Sequence, residues 1–254
     1  MILARLSRAV REQNWFAVVL EFVIVVSGVL LAFQVSTWSQ EAAERAYARD
    51  ILIRLHSELV ALSEVRTSEL ERRTERSELL LEARAIVMGF AEADVLSEDH
   101  CHAISVSHSG VGRAPDGFPS LDELMSSGAL KSIESERLRY VAMQLHSKRA
   151  ASHTGAEERL MRVGNLMVAY PEAVQPVYVP DSESDSGFRR RAACDLATMR
   201  ADPSFRAALV ENTSVYSVGV SWFRFLAEAI ALLRETIEIE LDLPPAGTSE
   251  QADP

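Results

Sequence analysis

The chain of 254 residues carries 26 Lys and Arg against 37 Asp and Glu, a formal net charge of −11, and two cysteines. That balance excludes nucleic acid as a partner class, since phosphate backbones are held by clustered Lys and Arg. It also disfavours lying on anionic lipid, so membrane attachment has to come from an apolar segment.

Such a segment opens the chain. From Trp15 to Trp38 the only polar side chains are Glu21, Ser27, Gln34, Ser36 and Thr37. A helix of this length reaches roughly 36 Å, enough for a hydrocarbon core of about 30 Å. The two tryptophans stand where interfacial anchors belong. The pattern predicts a transmembrane helix over 15–38, with the lipid bilayer as its partner. Arg5, Arg8 and Arg11 precede it against a single Glu12, whereas Arg45 and Arg49 behind it are diluted by Glu41, Glu44 and Asp50. This bias places residues 1–14 in the cytoplasm and the main domain outside, which in a Gram-negative cell means the inner membrane and the periplasm. The competing reading is a cleaved signal peptide. Those have shorter apolar cores and a small-x-small cleavage site, and here Phe33, Gln34, Val35 and Ser36 follow Ala32.

Glu21 is an ionisable group inside the span, and its cost there makes it a functional candidate. The plainer alternative has its carboxylate protonated, or reaching the interface about 9 Å back toward Trp15. On a helical wheel Glu21, Gly28 and Ala32 share a face, and Gly28-x-x-x-Ala32 is a small-xxx-small pair that lets helices approach closely. These three residues form a candidate membrane interaction face, set against simple anchoring.

No proline or glycine occurs from Ser39 until Gly89. Ile51, Leu55, Leu59, Leu62 and Val65 recur at helical spacing, so the transmembrane helix is expected to run on to about Glu92. The stripe fades over 69–78, where opposite charges at helical neighbours support a helix wet on both faces. Residues 97–119, rich in glycine, proline, serine and histidine, read as irregular. Ser120-Leu-Asp-Glu123 fits a capping box. Glu134 to Val168 reads as a further helical stretch, which Gly155 divides.

Residues 171–187, with Pro171, Pro176 and Pro180 and a run of acids and serines, read as an exposed, mobile linker. A short helical run is expected from Phe188. Asp202-Pro203 reads as the cap and first turn of another helix. Phe223, Leu226, Ile230, Leu233, Ile237 and Leu241 mark a final helix ended by Pro244-Pro245, an antiparallel partner for the 45–90 helix. Residues 244–254 read as a disordered tail. No window alternates in the strand manner, and Val177-Tyr-Val179 is fenced by prolines. The fold class is therefore all-α: an N-terminal transmembrane helix continuing into a long helix of coiled-coil type, which packs in an exported antiparallel helical bundle over 39–243.

Cys101 and Cys194 both lie in the exported part, where disulfides persist, and a Cys101–Cys194 bridge is expected. Free thiols are one alternative, and a metal cluster of Asp99, His100, Cys101, His102 and His108 is another, although its spacing matches no standard zinc pattern. No nucleotide-binding, zinc-protease or serine-hydrolase signature occurs, and Ser107-His-Ser-Gly110 reads as loop. His146 and His153 share a helix face and read as solvated. Trp222, Phe223, Phe225 and Met161 read as core, with a ligand pocket as the alternative.

The segment Glu21-Phe-Val-Ile-Val-Val-Ser-Gly-Val-Leu-Leu-Ala-Phe-Gln-Val-Ser-Thr-Trp38 resembles the anchor of a family of uncharacterised bacterial single-pass membrane proteins. Leu121 to Ile133 and Cys194 to Phe205 are similar to segments of the same family. The resemblance implies one architecture from end to end and supplies no activity, cofactor or catalytic residue. Three functions follow as expectations. The first is non-enzymatic scaffolding or protein–protein interaction in the cell envelope, with itself or another membrane protein. The second is small-molecule sensing through a membrane partner, and the third is a metal-dependent enzyme around His100, Cys101 and His102. The first needs no catalytic residue, cofactor or metal.

Overall fold

A computed structural model describes residues 15–109, 117–180 and 187–244. The charge bias of residues 1–14 and nearly all of the 244–254 tail thus lie outside the described residues. Where described, the chain is mostly helical. Helix α1 (Trp15–Met88) has 74 residues and is about 110 Å long. Its sequence offers no breaker after Gly28 until Gly89, whose positive φ of 75° caps the helix while the Phe90 amide donates to the Ala85 carbonyl at 2.9 Å. The helix therefore ends at Met88, a turn short of Glu92.

Along α1 the environment changes abruptly. Residues 18–36 are all exposed, and Ala48, Ile51, Leu55 and Leu59 beyond them are buried. The first stretch is long and apolar enough to cross a membrane. Helix α7 (Pro203–Leu241) also passes that test by composition, but 44% of its apolar window is buried in the fold, as befits a core helix. Asp202 caps α7, its carboxylate accepting from the Ser204 and Phe205 amides with Pro203 at the first position.

Between these long helices lie α2 (Glu98–Val106), α3 (Pro119–Ser126), a 3₁₀ turn (Ala129–Ser132), α4 (Glu136–Arg162), α5 (Leu166–Ala169) and α6 (Leu196–Ala201). Helix α2 occupies the first part of the segment expected to be irregular over 97–119; residues 110–116 of it lie outside the described residues. Its true capping box is Ser97 with His100, the Ser97 side chain accepting from the His100 amide and the His100 ring accepting from the Ser97 amide. The box expected at Ser120–Glu123 does not form. Helix α3 has already started at Pro119, so Ser120 is buried and donates its hydroxyl to Glu58 at 2.7 Å, while Glu123 accepts from Arg54 and Tyr47. Gly155 does not divide α4, and the break falls at 163–165 instead.

The all-α expectation needs one larger correction. Strands β1 (Val174–Pro180) and β2 (Phe188–Cys194) pair antiparallel, with Val174 opposite Cys194 and Pro180 opposite Phe188. A two-stranded ribbon leaves one edge of each strand unpaired, so Pro176 and Pro180 fit without forfeiting ladder bonds. Residues 174–180 of the expected linker and the run from Phe188 are thus strands, Ala173 and Val174 are buried, and residues 181–186 lie outside the described residues.

Two apolar clusters form the interior. One joins Leu55 and Leu59 of α1 to Leu124, Leu138, Leu145 and Leu233. The other joins Leu80 and Val87 to Ile104, Val174, Phe205 and Tyr216. Contacts between α1 and α7 run through His56 with Glu238 at 3.1 Å, Ser63 with Arg234 at 3.3 Å, and Ser77 with Ser217 at 3.4 Å.

Candidate functional site

Glu21, Gly28 and Ala32 are all exposed on α1, and nothing stands within 4 Å of a Cβ built on Gly28. Among the described residues nothing covers this face. Cys101 and Cys194 are brought together with Cα atoms 5.8 Å apart and are disulfide-bonded, tying α2 to the end of β2. Cys101 sulfur is therefore no thiolate ligand. His100 is occupied by its capping role and by Glu82 at 3.1 Å, and His102 is exposed. Among the described residues no group of three or more His, Cys, Asp or Glu is placed to hold a metal ion. Ser107 is buried and structural, accepting from Asn212 Nδ2 at 2.8 Å. The same Asn212 donates to the Gly164 carbonyl at 2.8 Å and accepts from the Gly164 amide at 3.2 Å, fastening three segments with one side chain.

Between the two apolar clusters α1 turns polar and stays wet on one face only. Glu71, Arg72, Glu75 and Glu78 are exposed, but Ser77 is buried, which corrects the expectation that 69–78 is wet on both faces, and Arg66 just before it is 2% exposed. The reason is Phe223 of α7. Its ring is approached by the guanidinium carbons of Arg66 at 5.0 Å and Arg73 at 4.7 Å, so cations rather than methyl groups cover it. Glu69 holds Arg73 at 2.7 Å, and the Arg72 and Arg73 hydrogen bonds keep the Glu69 carboxyl below its usual range against the opposing effect of burial. Burial pushes the Tyr216 phenol up, with Arg76 and Arg73 opposing. Beside this waist Val60, Ser63, Arg66, Ile230 and Arg234 line a cleft of about 530 Å³.

Helix α7 carries a second feature, of which the sequence pattern places only Phe225, and in the core. Val218, Phe225, Leu232 and Ile239 are spaced seven apart and are 49, 40, 40 and 71% exposed. Ser214, Ser221, Glu228 and Glu235 are exposed at the alternating three- and four-residue steps. Together they make two adjacent columns on the outward face, one apolar and one of serines and glutamates, at the three- and four-residue steps that a second helix could meet. Phe225 meets Trp222 edge-on with ring centroids 5.7 Å apart, and Lys148 of α4 sets its ammonium 3.9 Å from the Phe225 centroid. Ser217, Val218, Ser221, Trp222 and Phe225 line a shallow hollow of about 440 Å³ there. Phe223 is core as expected, but Phe225 and Met161 are exposed. The seven-residue repeat was readable in the sequence. What hid it was the denser stripe from Phe223 to Leu241, which claims the same helix for the interior.

No family model matches the chain, and no curated protein or solved structure matches it. The reading of its function therefore rests on the site alone.

Proposed function

We propose that this is an inner-membrane-anchored protein whose periplasmic domain, an antiparallel helical bundle, acts by binding another protein of the cell envelope. The observation that carries the reading is the apolar column on α7. Four large side chains at heptad spacing remain in water on a helix whose other faces are buried. An apolar row of this kind on an outward face marks an interaction surface. The exposed, small-residue face of Glu21, Gly28 and Ala32 offers a second contact within the bilayer.

The test is the native mass of the full-length protein in source-cell membranes, gently extracted, compared with Leu232→Glu. The reading expects an assembly larger than the monomer that collapses toward monomer mass in the variant. A monomer in both, or an assembly indifferent to the variant, overturns it. One observation favours a second reading. The cleft beside Arg66 and Arg234 combines apolar side chains with both cations and the carboxylates of Glu64 and Glu71, a lining able to hold a small polar organic molecule, which supports sensing. A rise in melting temperature on titrating candidate small polar organic molecules, lost in Ala231→Trp, is the outcome that reading requires.

A further inference from the structure

We infer that the α7 seam receives an amphipathic helix of a different protein, one whose apolar stripe is flanked by Lys or Arg. This rests on the interaction reading above and names the partner's chemistry.

The argument starts from the two columns. The Val218, Phe225, Leu232 and Ile239 column supplies apolar contact. The neighbouring column begins with Ser214 and Ser221 and ends with Glu228 and Glu235, and Glu240 is exposed beside Ile239. The seam thus divides along its length. Its upper part, around Phe225, already has cations in Lys148 and the exposed Arg224. Its lower part presents carboxylates on both sides of Leu232.

A second copy of this chain is the obvious rival occupant. Two copies inserted the same way in one bilayer are related by an axis along the membrane normal, so their α7 helices would meet in parallel. In a parallel pair each column faces its own counterpart. Glu228 would oppose Glu228 and Glu235 would oppose Glu235 inside a desolvating interface, on chains that each carry a net charge of −11. Like charges placed there are destabilising, and burying them unpaired costs far more than at a free surface. A helix with Lys or Arg opposite Glu228 and Glu235 removes both penalties. It can also lay its apolar stripe on Leu232 and Ile239.

The experiment uses the full-length protein in nanodiscs of zwitterionic lipid, with empty discs as the blank. Two synthetic helical peptides share one leucine heptad stripe, one flanked by lysine and the other by glutamate. Fluorescence anisotropy should show saturable one-to-one binding of the lysine peptide, at least tenfold tighter than the glutamate peptide. Leu232→Glu and Ile239→Ser, both at exposed positions, should each weaken it at least tenfold with unchanged circular dichroism. Glu228→Gln with Glu235→Gln should erase the preference between peptides while retaining apolar binding. Equal binding of both peptides to the wild type, or tighter binding of the glutamate peptide, overturns the charge inference and leaves the interaction reading standing. A dimer that Leu232→Glu dissociates overturns it in favour of a second copy. Binding of neither peptide, or binding indifferent to Leu232→Glu, overturns it outright, and the native-mass comparison above then decides the broader reading separately.

Discussion

Removing the Cys101–Cys194 bond is the perturbation whose size can be worked out most directly. The bridge spans a sequence separation of 93 residues, for which the chain-entropy relation gives about 4.6 kcal/mol of stabilisation at 25 °C. Native disulfides commonly deliver about 2–5 kcal/mol, so the realised loss should fall within that range. For a domain of this size each kcal/mol moves the melting temperature by about 2–4 °C, which puts the drop within about 4–20 °C. The assay is circular dichroism of the detergent-solubilised full chain, comparing untreated wild type, reduced wild type and Cys101→Ala/Cys194→Ala. Cys101 is buried, so the alanine variant also loses packing. The reduced wild type retains its sulfur atoms, and any further loss in the variant measures that packing alone. A reduced wild type melting within about 2 °C of the untreated protein would refute the reasoning. It would mean that the second apolar cluster holds α2 and β2 together without the link.

Three further outcomes are expected. Asp122 and Glu123 of α3 are both held below their ordinary ranges, Asp122 by Arg149 of α4 and Glu123 by Arg54 and Tyr47 of α1. A depressed carboxylate contributes stability above its unfolded pKa and loses it as pH falls through the folded value. The melting temperature should therefore stay level from pH 7 to about 5 and decline as acid passes below the ordinary values of 4.5 and 3.8. Glu123→Gln should shallow that decline, and an identical slope would remove Glu123 from the account. Asn212→Ala leaves both backbone groups of Gly164 without their side-chain partner and takes one donor from the Ser107 hydroxyl, which keeps its bond to the Ile104 carbonyl, and should cost about 3 kcal/mol in denaturant titration. A loss under about 1 kcal/mol would show that water replaces the amide. Alkaline phosphatase fused after Leu243 should be active in a Gram-negative host and stay with the membrane after carbonate extraction. An inactive fusion would reverse the topology, and an active one released by carbonate would indicate cleavage.

How much of this was legible in the chain depends on whether local chemistry or distant partners decided each element. Helix α1 was readable because its only interior breaker is Gly28, and Asp202-Pro203 announced α7 by a purely local hydrogen-bond pattern. Ser120 misled for the opposite reason. Its sequence fits a cap, but Glu58, sixty-two positions earlier, takes its hydroxyl, and nothing local reveals that. The β1–β2 ribbon was obscured because proline normally argues against a strand, whereas an isolated pair has unpaired edges to spare. The waist around Phe223 failed too. Charged residues at 66 and 73 signal solvent to any periodicity argument, whereas the Phe223 ring of a distant helix lies against both guanidinium groups.

The unbroken length of α1 has a consequence for reach. His56, level with Glu238, follows Trp38 by 18 residues, and Ser77, level with Ser217, follows it by 39. For a rod standing upright from a bilayer edge at Trp38, those levels lie about 27 and 58 Å above the lipid. The helix then works as a ruler. On the proposed interaction reading it would admit only partners that project a helix into that band, and inserting one turn between Trp38 and Glu41 would raise the α7 column by about 5 Å while sparing the contacts of Glu44, Arg45 and Tyr47 with the domain.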